Sequence, residues 1–312
     1  MTRFEITPKG PYSLAAASAF LEGFTPAAQP PGEPGHLHLA FVADGGSDAA
    51  AVCLRQPDSG VEGELAGDAA VEVVRAQVAR FLSLDVDGTG FPAVGRRDPV
   101  VGRLQAERPG LRPVCFFSPY EAAAWTLIGH RIRITQAARV KQRMAAELGP
   151  AVEIHGERLH AFPSPARLAE LDGFPGLFGR KVEYLRALGE AALAGRLDAD
   201  RLRSQPREEA LGELKQLQGI GDFSAELVLL RGAGDPDHLP LHEPRLRRAV
   251  TLAYGLAAPP DDDWLTKRAE PWRPYRTWVA LLLRVFLEEE TGEIGGRPAP
   301  RAGPPRSAPT RR

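Results

Sequence analysis

The sequence predicts an α+β protein: a small antiparallel sheet near the N-terminus, followed by an all-α body. Three observations predict it. Two short stretches carry strand period, the chain turns to helical period at Ser118, and the last segment is rich in Pro and Arg. They divide the chain into 1–112, 113–294 and 295–312. With 312 residues, 43% hydrophobic and 25% charged, the chain can bury a sizeable core, which excludes disorder of the whole chain and a membrane-protein composition. No window approaches the ~18 consecutive apolar residues of a spanning helix, and Met1 to Gly10 lacks the layout of a signal peptide, so a cytoplasmic location is expected.

In chain order, Thr25 to Gly35 reads as a Pro-rich loop. His36 to Ala43 alternates, with Leu37, Leu39 and Phe41 on one side, and Ala50 to Arg55 is a second strand beyond the turn Ala43-Asp44-Gly45-Gly46. Val71, Val74, Val78, Phe81 and Leu82 form one stripe of a helix over Asp68 to Leu82 that would cover a sheet face. Ser118-Pro119-Tyr120-Glu121 has the pattern of a capping box with proline at the first helical position. Further helices are expected at Thr135 to Leu148, Ser164 to Leu171, Lys181 to Ala194, Arg207 to Leu217, Phe223 to Arg231, Arg245 to Tyr254 and Tyr275 to Glu289. Asp261-Asp262-Asp263 reads as another helix start, favoured by the dipole. Gly295 to Arg312 carries no acid and is expected to be a disordered tail.

The net charge of -1 does not announce a polyanion partner, although residues 1–112 hold 10 Lys/Arg against 14 Asp/Glu and the remainder 29 against 26. Two cysteines, Cys53 and Cys115, cannot make a four-thiolate zinc or iron–sulfur site and read as buried apolar fillers. Leu84-Asp85-Val86-Asp87-Gly88-Thr89 matches the aspartyl-nucleophile pattern of haloacid-dehalogenase-like phosphatases. That chemistry needs Asp85 and Asp87 at the end of a parallel strand, whereas a helix precedes them here. His242-Glu243 does not make a zincin, because residue 246 is Leu and Pro244 interrupts the helix. His238 and His242 read as loop histidines. Leu217-Gln218-Gly219-Ile220-Gly221 forms a tight turn between two helices, after which a helix begins with exposed N–H groups, a setting that can hold a phosphate.

Taken with its surroundings, this turn resembles that of the helix-hairpin-helix DNA glycosylases, most closely the 3-methyladenine DNA glycosylase II type. The likeness covers most of Leu82 to Phe286. It runs through Arg97-Asp98-Pro99-Val100, Pro109-Gly110-Leu111-Arg112, Ser118 to Gly129, Phe162-Pro163-Ser164-Pro165, Gly179-Arg180-Lys181, the hairpin with its Leu239-Pro240 tail, and Trp272-Arg273-Pro274-Tyr275-Arg276.

The resemblance implies a two-lobed helical body with a DNA-binding cleft. It also implies a monomer acting on duplex DNA with a damaged base, needing neither a metal nor a redox cofactor. Gly219, Ile220, Gly221, Ser224 and Ala225 would grip the backbone, with a monovalent cation at the Gly219–Gly221 turn. Glu243 stands where the family carries its catalytic aspartate. Arg131 would fill the gap left by a flipped base or contact phosphate. Phe223 and Arg284 would line the base pocket, Phe223 at the place of the lyase lysine and Arg284 at that of a tryptophan. Asp222 sets an acid beside the expected phosphate or simply caps the helix. Trp125, Trp278 and Phe286 read as core. The implied reaction is hydrolytic removal of an alkylated purine. The alternatives are a DNA-binding paralogue without the chemistry and, more remotely, the phosphatase.

Overall fold

A computed structural model describes residues 1–23, 35–46, 48–58 and 60–292. Most of the loop expected at Thr25 to Gly35 and the whole tail expected at Gly295 to Arg312 lie outside these residues. Strands β1 (Thr2–Ile6), β2 (Leu37–Val42), β3 (Ala49–Arg55) and β4 (Val61–Gly67) form an antiparallel sheet in the order β1-β4-β3-β2. One face, with Leu39, Phe41, Val52 and Leu54, packs on helices α1 (Leu14–Gly23) and α2 (Val71–Phe81). β1 and β4 escape a period-2 reading because Gly63 replaces an apolar residue opposite Phe4, whose ring fills the space a side chain at 63 would need. The other face meets a hairpin of β5 (Ala151–Ile154) and β6 (Glu157–His160), which the sequence analysis left out, through Ala51, Cys53 and Ile154.

Two short helices, α3 (Phe91–Arg97) and α4 (Pro99–Glu107), follow α2, and α5 (Pro119–Gly129) opens as expected with Ser118 Oγ accepting the Glu121 N–H at 3.1 Å. The reciprocal half of the box is absent. The Glu121 carboxylate turns inward and accepts from Lys141 Nζ at 2.6 Å, pairing α5 with α6 (Ile134–Leu148) in the interior.

The chain continues through α7 (Pro165–Ala169), α8 (Lys181–Leu193), α9 (Ala199–Ser204), α10 (Arg207–Lys215) and α11 (Asp222–Leu227). One helix was expected over Phe223 to Arg231. Instead α11 widens into a π-helical turn, Val228–Gly232, closed by Ala233 N–H to the Val228 carbonyl at 2.9 Å. There Gly232 lies so close to Pro119 that a Cβ would sit 2.7 Å from it. Then come α12 (Pro244–Tyr254), α13 (Asp262–Ala269, capped by Asp261) and α14 (Arg276–Thr291).

The apolar cores cut across residue 112. The sheet, α2, α5, α6, α8 and α11 share one core, whereas Phe91, Val94, Val101 and Leu104 of α3 and α4 join α12, α13 and α14 in a second. Among the described residues no helix is long and apolar enough to cross a membrane.

Candidate active site

A cleft of about 430 Å³ opens between the two cores. α5 contributes Trp125, α11 contributes Phe223, Ser224 and Glu226, α12 contributes Arg245, and α14 contributes Arg284. Glu243 lines it from the loop before α12. Four arginines at 131, 231, 245 and 284 face it against two glutamates at 226 and 243.

Glu243 is placed by helix chemistry. It is the N-cap of α12, ahead of Pro244 at the first helical position, and its Oε1 accepts the Arg245 N–H at 3.0 Å and lies 3.4 Å from Arg245 Nη1. The side chain is 17% exposed, so the carboxylate serves as a cap while still facing the cleft. Oε1 thus meets both a backbone and a side-chain donor of the same arginine.

The loop carrying Glu243 is tied back by Glu226, a residue the sequence analysis missed. Its buried carboxylate accepts His242 N–H at 3.2 Å, His242 Nδ1 at 2.9 Å and His238 Nε2 at 3.3 Å. Burial by itself would raise the pKa of Glu226, but the bonds from the two histidines outweigh it and hold the acid below its usual range. Along the chain nothing sets Glu226 apart from Asp222 in the same helix, and its partners come from the loop that follows.

Among the arginines, burial draws Arg284 below the ordinary range, while the Glu243 charge acts in the opposite direction. Arg231 is pushed down to about 10, first by burial and then by the Arg284 charge. Arg131 lies exposed between α5 and α6 with φ 54°, a left-handed conformation that few non-glycine residues hold. Its neighbour His130 is lowered by burial first and then by the charges of Lys181 and Arg131.

The turn preceding α11 uses its two glycines differently. Gly219 has φ +81°, and a Cβ there would stand 2.7 Å from Tyr184 and 2.8 Å from Leu127, so both backbone and packing demand glycine. Gly221 caps α11 with φ −99° and open space around it. We expect Gly219→Ala to cost about 3 kcal/mol in urea unfolding and Gly221→Ala less than about 0.5 kcal/mol.

Ile220 is buried, as is Ser224, which lines the cleft. Ala225 is wholly buried and donates its N–H to the Gly221 carbonyl at 2.9 Å, so it offers nothing outward. Asp222 is not the cap but the first helical residue. A hydrogen bond from Lys215 Nζ at 3.1 Å lowers its pKa and balances its charge.

The site therefore brings Glu243, Phe223, Ser224, Arg131 and Arg284 together, with Gly219 to Gly221 at the start of the same hairpin helix. Trp125, read as core, is 8% exposed and lines the cleft as well. Asp85 and Asp87 are elsewhere. Asp85 pairs with Arg203 and Asp87 accepts from Thr89 N–H at 2.9 Å, in a loop after a helix, which removes the phosphatase reading.

No model of a known protein family matches the chain. It is 23% identical over 216 residues to the DNA-3-methyladenine glycosylase of Bacillus subtilis, covering 68% of this chain and 71% of that one. It is 30% identical over 224 residues to the probable bifunctional transcriptional activator/DNA repair enzyme AlkA of Mycobacterium tuberculosis, covering 70% of this chain but 43% of the longer relative. Its fold is similar to that of the 3-methyladenine DNA glycosylase from Archaeoglobus fulgidus, with a TM-score of 0.75, 22% identity and coverage of 92% of this chain and 98% of the other.

Proposed function

Because this chain belongs to the helix-hairpin-helix DNA glycosylases, on their 3-methyladenine glycosylase II-like branch, we propose that it hydrolyses the N-glycosidic bond of an alkylated purine in duplex DNA. The observation that carries this reading is the sharing of one cleft by Glu243, Phe223 and Trp125 at the end of the hairpin helix. The nucleotide flips out of the stack so that its base meets Phe223 and Trp125. Positive charge develops on the sugar as the C1′–N bond breaks with its electron pair going to the base. The Glu243 carboxylate stabilises that charge and takes a proton from the water that bonds to C1′. Phe223 offers no amine, so the product is an abasic strand without lyase cleavage.

Backbone N–H groups at Gly219 to Gly221 hold a phosphate, and Arg131 supports the gap. The monovalent cation suggested by the resemblance would rest on carbonyls of this turn. Those of Leu217 and Gly221 accept Ile220 and Ala225 N–H at 3.1 and 2.9 Å and each keep a second lone pair. Gly221→Ala, nearly neutral for folding, is expected to weaken duplex binding about tenfold in a low-salt titration by crowding a phosphate, equivalent to ~1.4 kcal/mol.

The second reading, a DNA-binding protein without the chemistry, is favoured by the engagement of Glu243 Oε1 as a helix cap. Incubation of wild-type protein with methylated duplex separates the two. Release of free methylated purine, leaving alkali-labile sites, supports hydrolysis. Duplex binding with no released base supports the second reading. Arg284 sets a cation in the pocket, so Arg284→Leu is expected to raise kcat/KM for a cationic purine relative to a neutral one about tenfold, or ~1.4 kcal/mol.

A further inference from the structure

On the outer face of the N-terminal sheet, away from the cleft, three histidines and a cysteine converge. His38 on β2 and Cys53 on β3 are register partners, so their side chains leave the same face. His36 precedes His38 by two residues, and its Nδ1 lies 3.5 Å from Cys53 Sγ. His155 comes from the turn of the β5–β6 hairpin, where φ is 49°, and its ring centre lies 5.3 Å from that of His38. One donor atom from each of the four residues falls within 4.8 Å of all the others.

The remaining ring nitrogens are already oriented. His38 Nδ1 bonds Glu157 at 2.7 Å and His155 Nε2 bonds Glu64 at 2.9 Å. A carboxylate on the far nitrogen is the arrangement that aims a histidine at a metal. His38 Nε2 is buried and has no partner, a costly condition that a bound cation relieves.

We propose that His36, His38, Cys53 and His155 bind one zinc ion, with Glu157 and Glu64 orienting two of the ligands. Three nitrogens and one sulfur suit a closed tetrahedral zinc site. With Zn–N near 2.0–2.1 Å and Zn–S near 2.3 Å, donors stand about 3.5 Å apart, so the widest pair closes by about 1 Å. Binding replaces the Cys53 thiol proton with the metal and releases that proton to solvent. The ion would pin the hairpin of the helical body to the sheet across more than a hundred residues of chain, a structural role independent of the cleft and of the proposed reaction.

The test uses the untagged full chain, stripped by a chelator and titrated with cobalt(II) as the optical probe for zinc. The expected result is saturation at one equivalent, with the intense visible bands of tetrahedral cobalt and a near-ultraviolet thiolate charge-transfer band. Cys53→Ser should abolish the latter. His155→Ala, at an exposed turn where folding is not at stake, should weaken cobalt binding at least tenfold and abolish the rise in Tm caused by zinc. Glu157→Gln should weaken binding about 10- to 100-fold. The proposal is overturned if no tetrahedral spectrum forms. It is equally overturned if the charge-transfer band survives Cys53→Ser, or if His155→Ala binds as tightly as wild type.

Discussion

Replacing Glu243 by Gln is expected to lower the single-turnover rate of base release about 10³-fold while leaving duplex affinity within about twofold. Glutamine keeps the size of the side chain and an oxygen able to cap α12 through the Arg245 N–H, so the helix start survives. It removes the negative charge that meets the cationic sugar, and this term acts mainly in the transition state. Glu243→Asp retains the charge but withdraws it by about one C–C bond, ~1.5 Å, and is expected to fall between wild type and Gln. Free base measured by chromatography from methylated duplex, with binding followed in parallel, checks both variants. Equal rates for wild type and Gln would remove Glu243 from the reaction.

Asp98→Ala is expected to produce the largest loss of stability, about 4–5 kcal/mol and on the order of 10 °C in Tm. Asp98 is 1% exposed and gathers groups from four parts of the second core. Its Oδ1 caps α4 through the Val100 N–H at 3.1 Å, and its Oδ2 accepts from Tyr254 Oη at 2.6 Å and Trp272 Nε1 at 3.0 Å. Arg268 Nη2 approaches Oδ1 at 3.4 Å. Alanine strands the tyrosine and indole donors in the interior, each costing about 1–3 kcal/mol, and deletes a cap worth about 1 kcal/mol. Asn, which keeps an acceptor, should lose less. Urea unfolding of the three proteins provides the check, and a loss below about 1 kcal/mol for Ala would contradict this assignment.

Most of the longer helices were legible because several of their starts are written locally, whereas α3, α4 and α9 were not expected. Ser118, Ser164 and Asp261 each accept an N–H from their own helix, and each was visible as a side chain able to cap. β1 and β4 were hidden because the space over Gly63 is filled by the Phe4 ring from the neighbouring strand and not by a side chain of β4 itself. The β5–β6 hairpin was hidden because it is short and covered on one face only. The π-helical turn seats Gly232 against Pro119, more than a hundred residues away, and no local period encodes it.

The cleft followed the same division. The Gly219–Gly221 turn could be read along the chain as a local signal, whereas Phe223 and Glu243 were picked out only through the family resemblance. Glu226 could not be found in either way, since its meaning lies in two histidines brought to it by the fold. The His36, His38, Cys53 and His155 cluster is the extreme case, because it exists only once the hairpin lies on the sheet.

A crystal structure with duplex DNA holding a cationic pyrrolidine analogue of the abasic sugar tests the central claim most directly, since the analogue mimics the charge of the transition state. The account predicts the Glu243 carboxylate within about 3–3.5 Å of the ring nitrogen, with a phosphate on the Gly219–Gly221 turn. A ring bound elsewhere, or Glu243 bonded only to Arg245 and turned from the analogue, would contradict it.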